Sequence, residues 1–195
     1  LSNAAAIGKI YQYVEPIDGI KQGNYEPVIR LIAPTKIQIA TVFGKVNPSE
    51  KTNIDFEGAI SNNDLNLFSS LDDSDNQGVA GKINAKQRLF TKSWQLDAFA
   101  NYQYVQKEFR TIERLYTIEF DRDWNLSAPV GNQSFITTGL EFIMPKKGIA
   151  TYQFENLAFS KNFNGNRHSL NTSFQLSQWN FQNKGSFLSS NGSTS

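Results

Sequence analysis

The stretch DDSDNQG at residues 72–78 sets side-chain oxygens at alternate positions and ends them on a glycine. Asp73, Asp75 and Gln77 ahead of Gly78 follow the D-x-[DN]-x-[DN]-G order of a calcium loop, with Gln in place of Asp or Asn at the last ligand position. A hard cation takes such oxygens, and the glycine permits the sharp turn. Asp73, Asp75 and Gln77 are therefore candidate Ca²⁺ ligands, with Asp64, Asn66 and Asp72 in reach if the loop folds back. The twelfth position counted from Asp73 is Asn84, where an EF-hand carries its bidentate Glu, so weak affinity is expected. The competing reading is a polar hairpin loop whose Asp and Asn side chains bond their own backbone.

Other candidate chemistry is sparse. Glu119, Asp121 and Asp123 alternate, with Glu113 nearby, and two carboxylates across a cleft can hydrolyse a glycoside. Arg110 and Arg122 are equally close, and ion pairing explains the same pattern. His168 is the single histidine and no G-x-S-x-G elbow accompanies it, which removes multi-histidine metal sites and leaves no support for a Ser-His-Asp triad. With no Cys there are no disulfides, thiolate metal sites or cysteine nucleophiles. Trp124, Trp179, Tyr102 and Tyr104 are candidates for a platform on which sugar rings stack, although core or girdle positions use the same residues. No catalytic set emerges, and the chain reads as no enzyme.

The elements that would position these residues are strands. In SWQLDAFANYQYV, residues Trp94, Leu96, Ala98, Ala100, Tyr102 and Tyr104 fall on one face and Gln95, Asp97, Asn101 and Gln103 on the other. Ile37, Ile39, Thr41 and Phe43 share a face before Gly44, and Ile54, Phe56, Gly58 and Ile60 share one after NPSEK, which predicts a hairpin. A second hairpin is predicted around PKKG, between Ile136–Met144 and Ala150–Phe154, followed by a strand over Leu170–Leu176. In VQKEFRTIERLY, Val105, Phe109, Ile112 and Tyr116 have helical spacing, whereas Tyr116, Ile118, Phe120 and Trp124 resume alternation, so a strand with an irregularity is expected there, with a short helix as the alternative.

An aromatic content of 13% with 15 Phe and 7 Tyr, against 19% charged residues, favours strands over charged helices. Net charge is +1 with no basic run, so nucleic acid is not an expected partner. The fold class is mainly β: an antiparallel meander of about ten strands, closing into a barrel or a strongly curved sheet, with a soluble β-sandwich or jelly roll as the alternative. Residues 1–6, with SNA at Ser2–Ala4, read as an expression remnant and flexible start, residues 7–183 as one all-β domain, and residues 184–195 as a flexible tail.

The segments AISNNDLNLFSSLDDSDNQGVAGK, FRTIERLYTIEFDRDWNL and YQFENLAFSKNFNGNRHSL resemble stretches of large, functionally uncharacterised envelope proteins of the Bacteroidota, rich in outer-membrane-type strands. The resemblance covers about residues 55–176. It implies a periplasmic or outer-membrane location and a β-rich fold, and it supplies no catalytic residues. Those proteins are much longer, a departure that leaves open what closes the sheet here. The expected function is that of a non-enzymatic envelope β domain, part of a longer protein, with a structural or binding role and outer-membrane or envelope proteins as partners. The alternative is a carbohydrate-binding β-sandwich module with a glycan as ligand.

Overall fold

The computed structural model describes residues 11–25, 32–71, 73–160 and 162–192. Eight strands follow one another as a meander: β1 (Lys36–Ser49), β2 (Thr52–Asp64), β3 (Gln77–Thr91), β4 (Gln95–Val105), β5 (Gln133–Met144), β6 (Gly148–Phe159), β7 (Phe163–Leu176) and β8 (Trp179–Gly192). Each pairs antiparallel with its sequence neighbours in a single sheet ordered β1 to β8. The antiparallel β meander is as expected. The sheet is not closed: β1 and β8 are its edges, and no ladder joins them among the described residues. Eight strands replace the expected ten because each is 11 to 15 residues long, about twice the ordinary length.

The two ends of the sheet differ. At one end the connections are tight: residues 50–51, 92–94, 145–147 and 177–178. Ser177 and Lys146 take positive φ there, of 53° and 63°, and Lys147 N–H donates to the Met144 carbonyl at 2.9 Å, so the β5–β6 turn closes where Pro145 and Gly148 mark it. At the other end lie the long connections, 65–76 and 106–132, and one short link, 160–162.

The second of these overturns one expectation. The segment after Val105 is neither strand nor extended helix but a folded connection holding one helical turn, α1 (Phe120–Asp123). The expected alternation of Tyr116, Ile118, Phe120 and Trp124 loses to their other spacing. Tyr116 and Phe120, four apart, stack at 4.0 Å, and Trp124 lies four further on. Residues 184–192, read as tail, are the outer half of β8.

Buried apolar residues among those described are few: Trp124, Leu157 and Phe163, with Phe120, Leu126, Phe135, Phe159 and Leu188 packed around them. This core lies between the connection and one face of the sheet. The described residues 11–25 belong to a separate unit, in which an Asp18–Gly19 turn brings Ile17 and Ile20 into a bridge and the Tyr11 and Tyr25 rings lie 4.8 Å apart.

Candidate functional site

Because side chains alternate along a strand, the ladder pairings assign every strand residue to one of two faces. The row Val46, Ile54, Ala85, Ala100, Thr138, Phe154, His168 and Phe187 crosses all eight strands on one of them. This outer face also carries Val42, Phe56, Ile60, Val79, Ile83, Leu96, Tyr102, Ile136, Leu140, Phe142, Tyr152, Leu170, Phe174, Trp179 and Phe181. Most of them are exposed, Trp179 by 79%. Charge is confined to its outermost row, where Lys36 stands opposite Asp64.

The inner face holds the remaining charges of the strands, most of them paired. Lys86 Nζ lies 2.7 Å from Glu141 and 3.2 Å from Asp97, while Arg88 Nε lies 3.5 Å from Asp97. Gln95 donates to the same Asp97 carboxylate at 2.8 Å, and with these three polar neighbours the carboxylate is only 2% exposed. Lys82 meets Glu57 at 2.7 Å, Asn84 donates to Asp55, and Arg167 pairs with Glu155, which is 5% exposed.

The connection 106–132 folds over this inner face at the end of the long connections. Its Trp124 is fully buried, edge-on to Phe135 at 5.6 Å, with the Arg167 guanidinium 4.5 Å over the ring. Tyr116 receives a hydrogen bond from Gln133 on β5, and burial pushes its hydroxyl pKa up to about 12. Arg110 N–H donates to the buried Ser61 hydroxyl at 3.0 Å, and Val130 N–H donates to Asn162 at 3.0 Å. Two glycines of the inner face are cleared for this segment. A Cβ at Gly78 would collide with the backbone of Glu108 and Phe109, and one at Gly165 would press on the Phe163 ring and Trp124.

The residues singled out for chemistry are not assembled. Asp73 and Asp75 form one turn of 3-10 helix, and Gln77 is already in β3, paired with Asn62. The Asp73 carboxylate accepts from the Asn76 amide at 2.9 Å, and Asp64 accepts from Asn66 N–H at 2.9 Å. Asp72 lies outside the described residues. Among the described residues no group of three His, Cys, Asp or Glu converges on a metal position. Glu119, Asp121 and Asp123 do not share a strand face as expected. They sit on and beside α1, exposed, with Arg122 at 2.8 Å from Glu119 and 3.7 Å from Asp123. Of the four aromatics, Trp124 is buried under the inner face, whereas Tyr102, Tyr104 and Trp179 belong to the outer face on β4 and β8, four strands apart. They make no common platform. His168 is on the outer face, its Nδ1 2.8 Å from the Tyr152 hydroxyl.

Sequence reasoning missed Arg167 and Glu155, which the alternation of β6 and β7 already places on one face. It also missed the continuity of the outer face through β3, whose Val79, Gly81, Ile83 and Ala85 alternate with Ala80, Lys82, Asn84 and Lys86. The chain matches no protein-family model, no curated protein and no solved structure.

Proposed function

We propose that this chain is a non-enzymatic β domain of a bacterial outer membrane, its outer face against lipid and its inner face toward an aqueous interior. The observation that carries the reading is the partition of charge. Apart from its outermost pair, Lys36 and Asp64, the outer face of the strands holds no Lys, Arg, Asp or Glu, while Lys45, Glu57, Lys82, Lys86, Asp97, Glu141, Glu155, Arg167 and Lys184 all point inward. A soluble sheet would turn its apolar side to a core. This one turns it outward, as a transmembrane barrel does.

Register adds an independent argument. The apolar stretch of the outer face is Ala40–Val46 on β1 and Trp179–Phe187 on β8, yet Val46 and Phe187 occupy the same ladder row. Val46 ends its stretch toward the tight turns; Phe187 ends its own toward the long connections. The apolar band thus slides about one residue per strand, and with ~3.3 Å per residue against ~4.8 Å between strands this tilts the strands by about 35° from the band's normal. Transmembrane barrel strands tilt by about 35–45°.

Further support comes from the ends. All four connections at one end are tight, while two of the three at the other are long, which fits the short periplasmic turns and longer outer loops of such barrels. Aromatic rings border the band, with Trp94 stacked on Phe90 at 4.1 Å near the tight turns and Tyr104 toward the long connections. Hydrocarbon tolerates no unpaired strand edge, so the reading requires further strands beside β1 and β8. No helix among the described residues is long and apolar enough to cross a membrane, and the proposal uses none.

The test is quenching of tryptophan fluorescence by brominated acyl chains in vesicles holding the protein. Trp94 and Trp179, each studied as the sole tryptophan, should be quenched. A chain that stays monodisperse in water without detergent, with neither residue quenched in the presence of vesicles, overturns the reading.

A further inference from the structure

We propose that the β4–β5 connection is a plug, seated across the inner face while the outer face is in lipid, and that Arg167 is the residue that seats it. The inference rests on the reading above, since only then is the inner face the wall of an aqueous interior. Its physical basis lies in how many features of the sheet have no use except to receive this segment. Gly78 and Gly165 stand where a side chain would displace the connection. The Ser61 hydroxyl, fully buried in β2, takes the Arg110 N–H, and the Asn132 side chain takes the Lys107 N–H at 3.1 Å, fixing the segment's start to its finish. A mobile loop would need none of these.

Arg167 holds the β7 end of the seat. Its guanidinium lies 4.5 Å over the Trp124 ring while Nε bonds the Glu155 carboxylate. The Trp124 Nε1 has no hydrogen-bond partner among the described residues, so the indole is held by rings and by the guanidinium. A cation desolvated against an aromatic face binds it more strongly than one in water, and Glu155 keeps the guanidinium from being an unpaired buried charge. The plug crosses from β2 to β7 and leaves exposed the inner faces of β1 to β3 below it, where Phe43 is 80% exposed and Glu57 meets Lys82. Any passage along the interior runs on that side.

The experiment uses protein in vesicles with Trp124 as the sole tryptophan, through Trp94→Phe and Trp179→Phe. Trp124 should resist both aqueous iodide and brominated lipid. Arg167→Ala should raise iodide quenching several-fold with the strand circular dichroism retained, and Arg167→Lys, which keeps the charge but loses the guanidinium, should fall between. Iodide quenching of Trp124 as strong as in the urea-unfolded chain, or no response to Arg167→Ala, overturns the proposal. Since the protein has no Cys, the pair Ser61→Cys and Arg110→Cys gives a second measure that leaves Arg167 intact. The disulfide should form in vesicles, and its absence there also counts against a seated plug. Failure of the lipid reading shows separately, as Trp94 and Trp179 untouched by brominated chains.

Discussion

On β5, Leu140 and Glu141 are neighbours in sequence and face opposite sides. Leu140 lies between Ala98 and Tyr152 on the outer face, 44% exposed, with no polar group placed to meet it. Glu141 points inward and is held by Lys86. The same contrast recurs between Ile83 and Lys82 on β3, and between Phe154 and Glu155 on β6. In a water-soluble sheet the apolar member of each pair would be the covered one. Here Leu140 and Ile83 stand exposed and Phe154 is half-buried against His168, while the polar members are satisfied within the chain. On the reading proposed above the two faces meet different solvents, and substitutions that exchange their chemistry separate the two.

The largest effect is expected from Leu140→Arg. At the middle of a lipid-facing band a guanidinium costs about 2–4 kcal/mol, to be read as lost stability in denaturant titrations of vesicle-inserted protein. Asn101→Arg places the same group on the inner face beside Asn84 and Thr137, where water and nearby carboxylates receive it. That variant should insert and unfold like the wild type. Equal penalties at both positions would erase the distinction between the faces.

A smaller effect is expected inside the inner network. Asp97→Ala removes the carboxylate shared by Lys86, Arg88 and Gln95 and leaves these donors poorly paired, a loss of about 1–3 kcal/mol. Lys86 keeps Glu141, which limits the damage. Asp97→Asn preserves an acceptor for Gln95 and should lose less. If Asp97→Ala were neutral in vesicles, the inner charges would be solvated singly and the network would contribute nothing to the sheet.

How much of this was legible depended on whether period-2 alternation carried contrast. On β4, Leu96 to Tyr104 alternate with Gln95, Asp97, Asn101 and Gln103, and the face assignment follows from sequence alone. The same holds for β5, β6 and β7. On β1 the contrast fails, because both faces are apolar. Ile37, Ile39, Thr41 and Phe43 lie inward opposite Asn63, Ser61, Ala59 and Glu57, while Ala40, Val42 and Val46 lie outward with Ile60, Gly58 and Ile54. On β8 the Asn-, Ser- and Gly-rich composition imitates a tail, and only pairing with β7 reveals Phe181 and Phe187 as outer-face residues. The connection was hidden by a coincidence of periods, since Tyr116, Phe120 and Trp124 satisfy spacings of two and of four. Tertiary contact with Phe135 and Arg167 decides between them, and no local rule contains that contact.

The smallest effect belongs to the β2–β3 connection at the long-loop end, outside the contrast of faces. Asp73 accepts from the Asn76 side chain at 2.9 Å, and the Asn76 carbonyl accepts from Asn63 N–H at 2.8 Å, so the acidic stretch is tied into the start of β3 through Asn76. Asp73→Ala should cost about 0.5–1.5 kcal/mol, the worth of one ordinary hydrogen bond, and Asp73→Asn less, because its amide oxygen still accepts. Calcium separates this structural use from a cation site. A site binding at about 10⁻⁴–10⁻³ M, typical of extracellular modules, would stabilise the fold by roughly 1.4–2.7 kcal/mol at about 10 mM Ca²⁺ through RT ln(1 + [L]/Kd). With the Asp73 carboxylate already engaged and Gln77 drawn into the ladder beside Asn62, wild type and the double variant Asp73→Asn, Asp75→Asn are expected to respond alike to added Ca²⁺ in thermal melts. A rise in Tm confined to the wild type would mean that Asp73 exchanges Asn76 for a cation, and that this connection carries a ligand site in addition to its turn.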